Sequence, residues 1–148
     1  MGLKDQLIAD MKEAMKAKQA ERLGTIRQLR SAIKNKEIEL RQEIDDSAII
    51  TVIGTAVKQR REAALMYSEN DRPELAAKEE AEMAILQQYL PAQLSEAEVG
   101  AIVVAVIAAT GATSMQDMGK VMPQVMAKTK GSADGKMVNQ LVRKHLAG

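Results

Sequence analysis

Apolar residues return every three or four positions along almost the whole chain, and nothing alternates with period two for long. The spacing predicts seven helices. A first, about residues 3–18, gathers Leu3, Leu7, Met11, Ala14 and Met15 on one side. A second, about 20–43, aligns Ile26, Leu29, Ile33, Leu40 and Ile44 within a narrow arc. Asp45-Asp46-Ser47 caps a third, about 47–68, with a stripe of Ile49, Ile50, Ile53, Ala56, Val57, Ala64 and Tyr67. Glu69 to Pro73 reads as a turn, with Pro73 in a first-turn position that needs no N–H. The fourth helix carries Leu75, Met83, Leu86, Tyr89 and Leu90 and stops at Pro91. Ser95 with Glu98 spells a capping box for a fifth, about 96–109, closed by Gly111. That segment is rich in Val and Ile, but Val99, Ile102, Val103, Val106 and Ile107 keep the helical rhythm, so a helix is expected. A sixth follows Ser114, and a seventh, about 135–146, follows Asp134.

The break from Pro91 to Leu94 separates these elements into two groups. The expected architecture is all-α: an N-terminal helical hairpin bundle of about four helices (1–94), then a small C-terminal three-helix domain (95–148).

Composition narrows the chemistry. Across 148 residues there is no Cys, Trp or Phe, and the aromatic side chains are Tyr67 and Tyr89. Thiolate chemistry and disulfides are therefore excluded, and ten Met help fill an aliphatic core. The N-terminus is charged throughout, unlike a secretory signal. Val99–Ala109, the most apolar run, is about half of what a bilayer core of ~30 Å requires. These features predict a soluble cytoplasmic protein with no membrane association. His145 has no partner for general-base chemistry, and Glu79-x-x-Glu82 lacks the His and the second motif of a di-metal bundle. No catalytic residue, metal site or cofactor is expected, and no self-contained active site is visible.

Charge distribution carries more. The net charge of +1 exerts no global pull on a polyanion, so any such binding must come from local clusters. On the second helix Arg27, Arg30, Lys34 and Arg41 fall within about 60° of one another, beside the apolar stripe. Such a row can follow a phosphate backbone; the alternative is a solvated face with intrahelical pairing, for instance Arg41 with Glu37. On the third helix Lys58 and Arg61 point outward, while Arg60 interrupts the apolar stripe. Glu79 and Glu82 interrupt the stripe of the fourth, so Arg60 is expected to pair with one of them across the hairpin, setting register more than stability. Residues 95–148 hold six Lys or Arg against four Asp or Glu. Lys120, Lys128, Lys130 and Lys136 surround a Gly-containing turn that runs into a helix N-terminus, a setting suited to phosphate. Asp134, as the cap, counts against a pure anion site there. A plain connector whose glycines only permit the bend is the alternative.

Several segments are similar to the GatB/YqeY family: Leu29 to Ile38, Val57 to Glu62, Tyr89 to Ser95, Asp117 to Met122, and Lys130-Gly131 with Ala133 to Gly135. They occur in order over essentially the full length. The likeness is nearest to the free-standing YqeY-like proteins, and it implies a small all-helical fold. It also relates the chain to the tail domain of the GatB component of the glutamine-dependent amidotransferase, a carbon–nitrogen ligase acting on Glu-tRNA(Gln) or Asp-tRNA(Asn). The resemblance implies a tRNA-interacting accessory module without catalysis of its own. Its implied partners are tRNA and an amidotransferase or aminoacyl-tRNA synthetase assembly, with no DNA. The RNA contacts would be Arg27, Arg30, Lys34, Arg41, Lys58 and Arg61, with Lys120, Lys128, Lys130 and Lys136. Pro123, directly after Met122, departs from the family pattern and is expected to kink or restart the sixth helix. The rival function is a protein-interaction adaptor with no nucleic acid at all.

Overall fold

The computed structural model describes residues 2–147, and among them it contains seven α-helices, one 3₁₀ turn and no strand. In order these are α1 (Leu3–Lys16), α2 (Ala20–Leu40), α3 (Asp46–Glu69), α4 (Pro73–Gln87), α5 (Glu96–Thr110), the 3₁₀ turn Met115–Asp117, α6 (Met118–Thr129) and α7 (Gly135–Ala147). The chain divides into two compact units between Leu90 and Pro91. No single helix among the described residues is long and apolar enough to cross a membrane.

The first unit is built on the long stripes of α2 and α3. Ile26, Leu29 and Ile33 meet Ile49, Ile53 and Val57, with Leu7 of α1 and Leu86 of α4 closing the cluster. Tyr89 and Ile44 complete it from outside the helices. Three apolar residues assigned to the core stripes lie elsewhere. Leu40 is 44% exposed because α2 ends there: Arg41 adopts φ +56°, a left-handed conformation that stops the helix before the expected limit. Met15 and Leu75 are also exposed, and Ala76 is buried in place of Leu75.

Asp45 caps α3 locally, accepting the Ala48 N–H at 2.9 Å, but other points in this unit are held by distant residues. The N-cap of α1, Gly2, has no capping side chain of its own; Asp46, at the start of α3, accepts the Leu3 N–H at 3.1 Å. The segment after α2 is held by Glu37, whose carboxylate accepts the Ile44 N–H at 2.9 Å and an ammonium hydrogen bond from Lys4. These bonds hold Glu37 below the usual carboxylate range, the Lys4 contact being the larger cause, and raise Lys4 in turn. The intrahelical pairing of Arg41 with Glu37, named as an example under the alternative of a solvated face, is not formed: Glu37 is engaged by Lys4 and Arg41 has left the helix.

The second unit packs α5, α6 and α7 around Val99, Val103, Val106, Val121, Val125, Val138 and Val142. Its helix starts are closed locally. Ser95 and Glu98 form a complete capping box, and Ser114 and Asp117 form another on the 3₁₀ turn. Glu98 and Asp117 are both held below their ordinary pKa, each chiefly by accepting backbone N–H bonds. Gly111 closes α5 at φ +69°. The helix α6 runs from Met118 through Pro123 to Thr129, so Pro123 does not restart it. Pro123 and Gly119, whose carbonyl loses a partner, are both exposed, which leaves that carbonyl open to solvent.

Candidate nucleic-acid interface

The helix α2 buries Thr25, Ile26, Leu29 and Ile33, and this choice of inner face decides which cations look outward. Arg27, Arg30 and Lys34 are exposed on the flank away from those residues. At the helical rise they span about 10 Å. None of the three forms an ion pair among the described residues. The Arg30 guanidinium contacts the Met11 sulfur at 3.2 Å, which packs its stem against α1 without neutralising its charge. Arg41 does not extend this row. It is exposed, but its left-handed backbone takes it out of helical register with Lys34.

On α3, Lys58 and Arg61 are exposed and Arg60 is half-buried. Arg60 pairs with Glu82 of α4 by charge, Nε standing 3.3 Å from Oε2 without a hydrogen bond, while its terminal nitrogens donate to the Ala56 carbonyl and to Gln28 Oε1 at 2.9 Å. Glu82 therefore takes the pairing role that sequence left open between it and Glu79. The Gln28 bond also locates α3 against α2. Gln28 lies about 100° around α2 from Arg27 and farther from Lys34 and Arg30, so the row looks away from the flank that meets α3. The α2 row and the α3 cations are accordingly two groups, not one.

In the second unit, Lys128 lies in the last turn of α6, Lys130 follows the helix, and Lys136 opens α7, so three cations surround the 130–134 turn. Lys120 lies eight residues before Lys128 and has Asp117 4.0 Å away. Asp134 Oδ1 accepts the Lys136 backbone N–H at 3.2 Å, so the cap occupies a donor that an anion would use. His145 is exposed, its Nε2 standing over Gly100 of α5. Among the described residues no group of three or more Asp, Glu, His or Cys is placed to hold a metal ion.

One polar cluster escaped sequence reasoning. The Tyr89 hydroxyl donates to Asp10 Oδ2 at 2.6 Å, and Arg22 stands 3.8 Å from the other carboxylate oxygen. Burial and the carboxylate push the Tyr89 phenol well above its ordinary pKa, so it remains a donor at any physiological pH. Residues 10, 22 and 89 share no local pattern, so only the fold joins them.

The sequence profile described as Yqey-like protein matches residues 4–146. Among curated proteins, the Altered inheritance of mitochondria protein 41, mitochondrial, of Vanderwaltozyma polyspora is 38% identical over 82 residues, 55% of this chain and 44% of the relative. The proteins of the same name are 40% identical over 84 residues in Eremothecium gossypii, covering 56% and 46%, and 40% over 96 residues in Lachancea thermotolerans, covering 62% and 51%. The chain thus spans about half the length of the curated relatives it matches. Their names place these relatives in mitochondria, which overturns the expectation of a cytoplasmic protein. A charge-rich N-terminus argues against a secretory signal but carries no information about organelles.

Proposed function

The chain belongs to the YqeY-like family, and from that premise we propose that it is an accessory module that grips folded RNA, most directly tRNA, and does no chemistry by itself. One observation carries the proposal: Arg27, Arg30 and Lys34 stand exposed along one side of one helix and none is in an ion pair, Glu37 acting on Lys34 only at longer range while it pairs with Lys4. A cation so placed loses little on meeting a phosphate, because it breaks no existing ion pair to do so. Phosphates are fixed points on a folded RNA, and a helix presents its side chains at fixed intervals. Recognition would be of backbone and shape, since Tyr67 and Tyr89 are half-buried and buried and no exposed aromatic is available to stack on bases.

The proposal treats residues 1–94 and 95–148 as separate domains, each offering cations: the α2 row with Lys58 in the first, the lysines of the 130–134 turn in the second. The resemblance to an amidotransferase tail favours a tRNA-handling assembly as the partner, and the names of the curated relatives favour a mitochondrial setting. In this reading the protein supplies grip, while activation and amide transfer belong to other components of the assembly.

Binding of unmodified tRNA, followed by fluorescence anisotropy across a salt series, tests it. Three neutralised phosphates predict a slope of log K against log salt of about −2.7 on duplex regions. Arg27→Gln with Lys34→Gln should flatten the slope by nearly two. A wild-type affinity indifferent to salt, or a slope the double variant leaves unchanged, would remove the RNA role.

A further inference from the structure

Two surfaces of the first unit carry exposed large apolar side chains together with unneutralised charge, and their charges are opposite. The first is the outer part of the α3–α4 hairpin. Between 58 and 82 the buried apolar side chains are the small Ala64 and Ala76, which lie outside the main hydrophobic cluster of this unit. Its tip, residues 62–75, carries Glu62, Glu69, Asp71 and Glu74 against Arg72, all exposed, with the exposed Arg61 at its border. None of the five within the tip forms an ion pair among the described residues. Around them Leu65 is 61%, Met66 63% and Leu75 38% exposed. The second surface is the outer side of α2. There Ile38, 66% exposed, continues the row, falling within about 40° of Arg27 and Lys34 around the helix.

We propose that these surfaces are partners in a self-associated form of the protein: the acidic hairpin tip of one copy seats on the cationic outer side of α2 in a second copy, and a two-fold axis repeats the contact. Charge selects the occupant. An acidic tip ringed by Leu65, Met66 and Leu75 is repelled by nucleic acid but complements Arg27, Arg30 and Lys34, whose row ends in an exposed isoleucine. The dimensions agree, the row from Arg27 to Ile38 being about 16 Å long and Glu62 to Glu69 about 10 Å before the turn adds to it. Reciprocity doubles the buried surface, which matters because a single helix-to-tip contact falls short of the roughly 1,200 Å² of a stable interface. The consequence for regulation rests on the proposed function: self-association covers the phosphate row, so RNA and a second copy compete for α2.

Sedimentation of the full chain without RNA tests the assembly. A dimer that dissociates on moving from low salt to about 0.5 M is expected, since such exposed charges are screened there. Glu62→Lys with Glu69→Lys and Glu74→Lys should make the protein monomeric, and so should Arg27→Glu with Arg30→Glu and Lys34→Glu. The equimolar mixture of the two triple variants decides the matter. Each supplies the surface the other needs, so a heterodimer should return with at least tenfold tighter association than either variant alone. All six positions are exposed, and circular dichroism checks the fold; were a triple variant unfolded, Ile38→Ser should weaken the wild-type dimer at least fivefold. A wild-type chain monomeric at low salt, or a mixture that stays monomeric, overturns the proposal. A monomeric Glu62→Lys, Glu69→Lys, Glu74→Lys variant, its α2 row uncovered, that fails to bind tRNA would instead count against the RNA role alone.

Discussion

The two units solve the same problem, how to start and stop helices around an aliphatic core, with partners drawn from different distances. In the second unit a helix is capped by the residue beside it: Ser95 by way of Glu98, Ser114 by way of Asp117, and Asp134 on the Lys136 N–H. In the first, Asp45 caps α3 in the same local way, but Asp46 caps a helix 43 residues earlier, Glu37 joins Lys4 to the Ile44 backbone, and Tyr89 reaches Asp10 across 79 positions. The stops differ as well. Left-handed residues are Gly111 and Gly131 in the second unit but Lys18, Arg41 and Asp71 in the first. A side chain in that conformation costs roughly 1–2 kcal/mol that glycine does not, so the first unit accepts backbone strain its packing must offset. Local capping makes a unit legible in sequence and self-sufficient. Distant capping makes each helix depend on the rest of the unit.

The sharpest way to break the contrast is at Arg60. Replacing it by Met leaves Glu82, largely buried, without its counter-charge, and a loss of about 3 kcal/mol is expected in denaturant unfolding. Arg60→Met with Glu82→Leu should recover most of that loss, because apolar substitutes remove the desolvation cost of both charges. If the single variant unfolds like wild type, the first unit does not depend on this long-range pair. Hydrogen exchange should show amides of the first unit loosening while the Val core of the second keeps its protection.

A smaller effect separates the stops. Gly111→Ala meets no atom within 4 Å, so its cost is that of the backbone alone, about 1 kcal/mol. Arg41→Gly should go the other way, gaining up to about 1 kcal/mol in thermal unfolding by relieving a strained side chain. Equal and same-signed shifts at the two positions would erase the distinction.

Acid gives the smallest expected signal. Glu98, Asp117 and Glu37 have folded pKa values below their unfolded ones, so each adds stability above about pH 4.3. That contribution declines as pH falls through the lower folded values. Glu98→Gln with Asp117→Asn should lower stability at neutral pH and flatten its fall between about pH 5 and pH 2, read by exchange in the second unit. An undiminished acid slope would show that the caps do not contribute through their charge.

What sequence could and could not disclose follows from the same distances. The fifth helix was legible from both ends, because its box and its glycine stand within four residues of the turns they close. The end of α2 was not, since Arg41 is a poor stop by type and is held there by backbone bonds to Glu37 and Ile38. Leu40 kept the helical rhythm and still faces solvent. The cation row of α2 was legible as a pattern, but Arg41 had to be removed from it once the helix ended early. Pro123 was expected to kink or restart α6; it does not restart it, and it stands on the exposed side, where the free carbonyl faces solvent.

By itself the sequence determined the all-helical character, the apolar face of nearly every helix and the local caps, because these depend on periodicity and on neighbours within a turn. Tertiary structure alone decided that Glu82 and not Glu79 meets Arg60, that Asp46 closes α1, and that Tyr89, Asp10 and Arg22 form one cluster. Those choices join residues that no local pattern relates, and they are made only when helices pack and unpaired polar groups must find partners before water is excluded.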